Sequence, residues 1–353
     1  LTLAATAFSE IAGWTEDLHE EALAAFRAGA PVIAATPPKT RGLGIDGVAL
    51  QRAARASLDV ADADARRFFE SCFVPHRVEA SGFVTGYYEP EVVASRVPTE
   101  RFHVPLYSRP GDLIEVSSSA RPVGWDPEMR FGRATKSGVL PYFDREAIEQ
   151  GALEGRGLEL AWLEDAVDAF FIHVQGSARL RLIDGATLRI AFDGKSGHAY
   201  TSIGRLAVER GILPQSAAHK DGLEAWLKQH PEEGRALMRE NRSFIFFRET
   251  GQDAADGPIG AAGIPLIAGR SLAVDRTLHT FHTPVWVDAP ELGDLRQAGR
   301  PLRRLMVAQD TGSAIVGPAR GDIFVGSGAE AGSSAGRIRH HATMIALVPI
   351  DVS

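Results

Sequence analysis

From Ser243 onward the chain reads as short apolar strands held apart by glycine-rich connections: Ser243–Arg248, Ser271–Val274, Pro284–Val287, Leu302–Gln309, Asp322–Val325 and Thr343–Val348. Strands this short, with little helix between them, bury their apolar faces best by closing on one another, so the pattern predicts a small closed barrel.

The first seventy residues follow a different period. Thr15 is positioned to cap a helix whose first turn carries Glu16 and Asp17, with Leu18, Ala22, Ala25 and Phe26 along one face. After the Pro37–Pro38 and Gly42–Gly47 loop, Leu50, Ala54, Leu58, Ala61, Ala65, Phe68 and Cys72 form the stripe of a second helix. From Val74 the period becomes two, and Gly82–Tyr88 reads as a strand ending at Glu89-Pro90. Prolines 98, 105, 110, 122 and 127 then mark a loop-rich domain crossing. Asp144 can cap a short helix that ends near Gly151, and Pro231 can open another. Between them, Ala178–Phe192 is a hairpin: Leu180 and Leu182 alternate with arginines, Asp184-Gly185 turns the chain, and Leu188, Ile190 and Phe192 return.

With 353 residues the chain is long enough for two domains. Net charge is −7 with the signs interspersed, and there is no basic stripe with interleaved aromatics, so nucleic acid is not an expected partner. The single cysteine, Cys72, lies on an apolar stripe and excludes an internal disulfide. No stretch approaches the ~18 consecutive apolar residues of a membrane span. Leu1–Phe8 is too short for a signal peptide and lacks Met, so the sequence reads as a trimmed or processed chain, with any targeting signal or lipid-anchor cysteine outside it.

Chemistry concentrates between Val307 and Gly328. One strand runs into Asp310, a turn-rich loop follows, and Arg320-Gly321 delivers Asp322 at the start of the next strand. Carboxylates at strand ends among glycines suit a site where a polymer approaches the backbone, as glycosidic chemistry requires. Asp275, Asp310 and Asp322, in the contexts Ala-Val-Asp-Arg, Ala-Gln-Asp-Thr-Gly and Arg-Gly-Asp-Ile-Phe, resemble the aspartate trio of the 3D domain. Upstream, Gly86-Tyr-Tyr-Glu-Pro90, His173-Val-Gln-Gly-Ser-Ala178 and Tyr200-Thr-Ser-Ile-Gly-Arg205 resemble the MltA domain that accompanies it. Together these segments are similar to the MltA-type lytic transglycosylases over most of the chain, from about Phe68 to Pro349.

The resemblance implies a mainly β fold with flanking helices. Residues 1–94 and 236–353 would form a double-psi β-barrel domain, residues 95–235 an inserted β-rich domain, with a glycan groove between them. It implies cleavage of the β-1,4 bond between N-acetylmuramic acid and N-acetylglucosamine in peptidoglycan, leaving a 1,6-anhydromuramic acid end. Asp322 would be the single acid/base, Asp310 the neighbour that sets its environment, and Asp275 a structural member of the trio. Tyr87, Tyr88, Glu89, Gln175, Ser177, Tyr200 and Thr201 are the candidate glycan contacts. No cofactor and no metal are implied. The resemblance further implies a monomer in the periplasm, anchored in relatives to the outer membrane by lipid, with partners among proteins of cell-wall synthesis or division.

Two rivals stay open on sequence. A glycoside hydrolase on the same barrel would need a second carboxylate, for which Glu89 or Asp310 can be proposed. An expansin-like glycan-binding module would need none. Other signals are weaker. Gly42-Leu-Gly-Ile-Asp-Gly47 has the letters of a dinucleotide fingerprint but follows no apolar strand. The glycines of Gly326–Ala331 fit a tight turn, with a glycan-contacting helix start as the other reading. The pairs His279/His282 and His340/His341 lack a third ligand at metal spacing and read as surface or groove histidines. Phe244, Phe246 and Phe247 read as core.

Overall fold

The computed structural model describes residues 3–117, 119–126, 129–251, 257–293 and 299–350. The chain divides into two compact units: Leu1–Tyr88 with Ala255–Gly326 and Glu330–Ser353, and Glu89–Ala254 with Ser327–Ala329.

The first unit is built on an eight-stranded sheet in the order Leu3–Ala5, Phe73–Val78, Arg339–Pro349, Pro284–Gly293, Pro301–Asp310, Ser271–Val274, Arg320–Ser327 and Gly82–Glu89. The last of these also pairs with Arg339–Pro349, which closes six strands into a ring and removes their free edges. Period-two alternation sorts the apolar side chains onto two faces. Val285, Val287, Met306 and Met344 pack in one cluster with Val84, Leu272 and Ile323. The residues between them, Trp286, Leu305, Val307 and Ile345, pack in another with Phe26, Leu50 and Phe69 from the helices His19–Ala28, Gly47–Ser57 and Ala65–Cys72.

The helical layer departs from the sequence pattern in two places. Thr15 does not cap: it lies inside the 3-10 turn Trp14–Glu16, and the helix begins at His19. Asp17 accepts from the Leu18 and Leu305 N–H groups and pairs with the buried Arg270, and this pins the chain outside the helix. The single stripe from Leu50 to Cys72 is broken after Ser57, and Leu58 is exposed. Arg27 holds the break, donating to the carbonyls of Ser57 and Val60 and to Asp62. Its guanidinium replaces the helical partners those carbonyls lose. Cys72 is buried, as its stripe implied.

The second unit holds three sheets. Ile245–Thr250, Thr187–Lys195, Ser177–Leu182 and Glu91–Ala94 form one, with the hairpin pairing Leu180 to Leu188 and closing at Asp184-Gly185. Val104–Tyr107 pairs with Glu159–Leu163, and Leu113–Glu115, Phe131–Thr135 and Gly138–Leu140 form the third. The proline-marked stretch is therefore more ordered than its composition suggests. Pro105 sits in a two-stranded ribbon opposite Trp162, where a missing N–H can be tolerated. Pro127 lies outside the described residues. Asp144 and Pro231 begin their helices as expected, and Phe244, Phe246 and Phe247 are buried.

The unit boundaries at Glu89 and Ala254 correct those read from sequence at 95 and 236. Pairing decides this: Glu91–Ala94 runs parallel with Ser177–Leu182, and Ile245–Thr250 runs antiparallel with Thr187–Lys195, so both belong to the inserted unit's sheet.

Candidate active site

Four strands of the first unit bring the site together, with Ser271–Val274 between Pro301–Asp310 and Arg320–Ser327. Ala273 pairs with Asp322 on one side and with Asp310 on the other. The second pairing depends on a register shift, because Leu272 still faces Ala308. The extra residue, Gln309, is fully buried and is held by Ser271 Oγ at 2.6 Å and the Ala25 carbonyl at 2.8 Å. A one-residue slip changes the face a side chain occupies, and here it turns Asp310 toward the face of Asp322.

The ring-closing strand Gly82–Glu89 contributes two residues of one face. Thr85 Oγ1 donates to Asp322 Oδ1 at 2.6 Å, and Tyr87 Oη donates to Asp310 Oδ2 at 2.9 Å. Their spacing of two lets one strand serve both carboxyls. Asp310 also accepts from the Ala261 N–H at 2.8 Å through Oδ1. Arg320 Nη2 donates to Thr85 Oγ1 at 2.7 Å.

Burial pushes the Asp322 carboxyl up to about 6. The Thr85 hydrogen bond and the Arg320 charge oppose that rise, and the negative charge of Asp310 adds to it. Burial also raises Asp310, against hydrogen bonds from Ala261, Thr311 and Tyr87. Burial and the Asp310 charge lift the Tyr87 phenol well above its ordinary value, so it stays a donor. Two desolvated carboxyls thus differ in solvation: Asp310 receives several donors, while Asp322 has one hydroxyl and a nearby guanidinium.

Asp275, the third aspartate of the trio, stands apart from this pair. Burial acts to raise it, but the hydroxyl and N–H of Thr277 and the Gly317 N–H hold its carboxyl below the ordinary value. It ties the end of strand Ser271–Val274 to the loop that precedes Arg320.

The other predicted contacts divide. Tyr87 is at the pair, but Tyr88 is buried on the other face against Gly332, where an added Cβ would lie 2.8 Å from the ring. Glu89 has no exposed surface: Arg189 meets it at 2.8 Å and Ser327 Oγ donates to it at 2.7 Å. Gln175, Ser177, Tyr200 and Thr201 all belong to the second unit. Gln175 ends the helix Ala166–Gln175, Ser177 opens a strand, Thr201 N–H donates to Asn241 Oδ1 at 3.1 Å, and Tyr200 is exposed.

Sequence reading missed Thr85 and Arg320. Their one signal was position: Thr85 lies two residues before Tyr87, and Arg320 two before Asp322.

His279 and His282 correct the surface reading, since both are buried. His279 bonds the Pro318 carbonyl at 2.7 Å. His282 stacks on Phe26 with ring centres 4.3 Å apart and fills the space that a side chain at Gly29 would take. His340 and His341 stay at least partly exposed. Among the described residues no group of His, Cys, Asp and Glu could hold a metal ion, and no helix is long and apolar enough to cross a membrane.

A closed ring of strands carrying an aspartate pair, interrupted in sequence by a second β-rich unit, defines a two-unit, mainly β protein. The description "MltA specific insert domain" matches residues 83–248, and "3D domain" matches residues 270–348. The membrane-bound lytic murein transglycosylase from Agrobacterium tumefaciens superposes with a TM-score of 0.92 at 43% identity, covering 99% of this chain and 98% of that one. The structure of MltA from Escherichia coli with bound chitohexaose gives a TM-score of 0.67 at 26% identity, over 98% and 91% of the two chains. Membrane-bound lytic murein transglycosylase A of Vibrio cholerae is 33% identical over 260 residues, 72% of this chain and 62% of that protein. The match thus spans less than two thirds of that relative's length. The chain belongs to the MltA family of membrane-bound lytic murein transglycosylases.

Proposed function

We propose that the protein is a lytic transglycosylase that cleaves the β-1,4 bond between N-acetylmuramic acid and N-acetylglucosamine in peptidoglycan, with Asp322 as its one acid/base. The observation that carries this reading is the state of Asp322: desolvation pushes it to about 6, so a usable fraction is protonated near neutral pH. Family membership supplies the substrate class, and the relative bound to chitohexaose supports a β-1,4-linked aminosugar chain as ligand.

One carboxyl suffices for this chemistry. The Asp322 proton passes to the glycosidic oxygen as the bond from C1 to that oxygen breaks. The C6 hydroxyl of the same sugar then forms the new bond to C1, and its proton returns to Asp322. The product is the 1,6-anhydro sugar, no water is consumed, and the enzyme regains its starting state. Because the nucleophile belongs to the reacting ring, its attack carries the advantage of an intramolecular reaction. Asp310 would keep the charge that helps hold the proton on Asp322.

A hydrolase would need a second carboxylate to activate water or attack the sugar. Glu89, one of the two available by sequence, is fully buried against Arg189. Asp310, the other, is engaged by Tyr87 and Ala261. Both observations favour the intramolecular route. We read the closed strand ring as a double-psi barrel with Tyr87 as a glycan contact beside the carboxyl pair, and Gln175, Ser177, Tyr200 and Thr201 as the second unit's own candidate glycan contacts. The proposed compartment is the periplasm, where peptidoglycan lies.

Mass spectrometry of peptidoglycan digested by the wild type and by Asp322→Asn tests the reading. Products about 18 Da lighter than hydrolytic muropeptides, absent with the variant, are expected. Reducing ends carrying added water would overturn it.

A further inference from the structure

We infer that Thr85 is the positioning residue of the acid/base: with its hydroxyl oriented by Arg320, it fixes Oδ1 of Asp322 as the permanent acceptor and leaves Oδ2 as the oxygen that carries the proton. The inference rests on the acid/base reading of Asp322 and adds which atom acts and what selects it.

A threonine hydroxyl has one proton to donate. Arg320 Nη2 is a donor only, and it lies 2.7 Å from Thr85 Oγ1, so the hydroxyl accepts there. Its single proton is committed to Asp322 Oδ1, 2.6 Å away. In a protonated carboxyl the carbonyl-type oxygen is the stronger acceptor, so a short bond from a fixed donor makes Oδ1 that oxygen. The titrating proton therefore sits on Oδ2, which has no hydrogen-bond partner among the described residues. The carboxyl cannot exchange its two oxygens without breaking a short bond to a donor that a guanidinium holds in place.

The groups facing Asp322 are few. Arg320 comes from its own strand, Thr85 and Tyr87 from the neighbouring ring-closing strand, and Asp310 from beyond Ala273. Tyr87 stays protonated, which among the described residues leaves Arg320 and Asp310 as the charges and Thr85 as the only donor in direct contact. A hydrogen bond to the ionised carboxyl favours that form, so Thr85 also keeps the carboxyl from being too weak an acid to give up its proton.

The test is the pH–rate profile of anhydromuropeptide release from purified peptidoglycan by the wild type, Thr85→Val, Thr85→Ser and Asp322→Asn, with thermal unfolding of each. Thr85→Val should move the alkaline limb upward by about one pH unit and lower kcat roughly tenfold, with KM within about twofold. Thr85→Ser, which keeps the hydroxyl, should restore both. If the valine variant does not fold, Thr85→Ala, which only removes atoms, takes its place. An unmoved limb in a folded Thr85→Val or Thr85→Ala variant overturns the inference, even if activity falls, because lost packing lowers rates without shifting the titration. Wild-type cleavage by Asp322→Asn would instead overturn the acid/base reading itself, so the two failures are distinguishable.

Discussion

Two carboxyl clusters in this chain sit at different depths and are differently equipped: Glu89 has no exposed surface, whereas Asp310 and Asp322 are only partly covered. In the second unit, Glu89 is fully buried, with Arg189 at 2.8 Å, Arg179 at 3.9 Å and Ser327 donating at 2.7 Å. In the first unit, Asp322 meets one hydroxyl directly and has a second carboxyl as neighbour. The lesson is that burial alone does not make an acid. A buried carboxylate matched by a guanidinium is a tie between strands, while one that is undersupplied with donors keeps its proton toward neutral pH. Asp275 makes the same point within the first unit: it is buried too, but two N–H groups and a hydroxyl hold it ionised.

The largest effect that could break this contrast is on turnover. Asp322→Asn should lower the rate of anhydromuropeptide formation by about 10³-fold or more. The same variant should be more stable at pH 7. The folded chain holds the Asp322 proton to about pH 6, whereas an ordinary aspartate releases it at 3.8. Wild-type stability therefore falls as pH rises through that window, by at most about 3 kcal/mol, and the amide escapes the loss. Thermal unfolding at pH 7 and pH 3 checks this, and an equal or lower Tm for the variant at pH 7 would contradict it.

Next in size is the opposite cluster. Arg189→Met strands the Glu89 carboxylate and should cost about 3 kcal/mol in denaturant unfolding, with the shape of the pH–rate profile unchanged. A moved alkaline limb would mean that Glu89 takes part in the chemistry. Asp310→Asn should lower activity roughly tenfold and shift that limb to lower pH by less than about one unit, because the charge that raises Asp322 is gone. A shift upward would refute the assigned relation between the two. The smallest effect is expected at Asp275→Ala, about 1 kcal/mol of stability at neutral pH. Because the folded carboxyl is held below its ordinary value of 3.8, that difference should be present above pH 4 and vanish as pH falls further.

Much of this was legible in the residues. Alternation marked Gly82–Tyr88 and the hairpin around Asp184-Gly185, and the order of motifs carried the family resemblance and the aspartate trio. The sequence-based reading went astray where a side chain's use depends on a distant partner. Thr15 looked like a cap, but Asp17 holds the chain through Arg270. Glu89 looked like a sugar contact because it follows two tyrosines, and its arginine lies a hundred residues away. His279 and His282 looked like surface histidines, and nothing nearby in the chain announces Pro318 or Phe26 as their neighbours.

Which residues share a face is settled locally, since alternation is written in the order of apolar and polar side chains. The sequence motifs also supplied Asp275, Asp310 and Asp322 as the carboxyls to examine. That Asp310 and Asp322 flank Ala273 emerges from strand pairing, because the one-residue register shift at Gln309 is a property of two strands together. Ring closure likewise brought Thr85 and Tyr87 to those carboxyls from more than 220 residues earlier in the chain. Proton affinity follows from that assembly: it depends on which donors and charges surround a group once water has been excluded, and in this chain those neighbours come from distant segments.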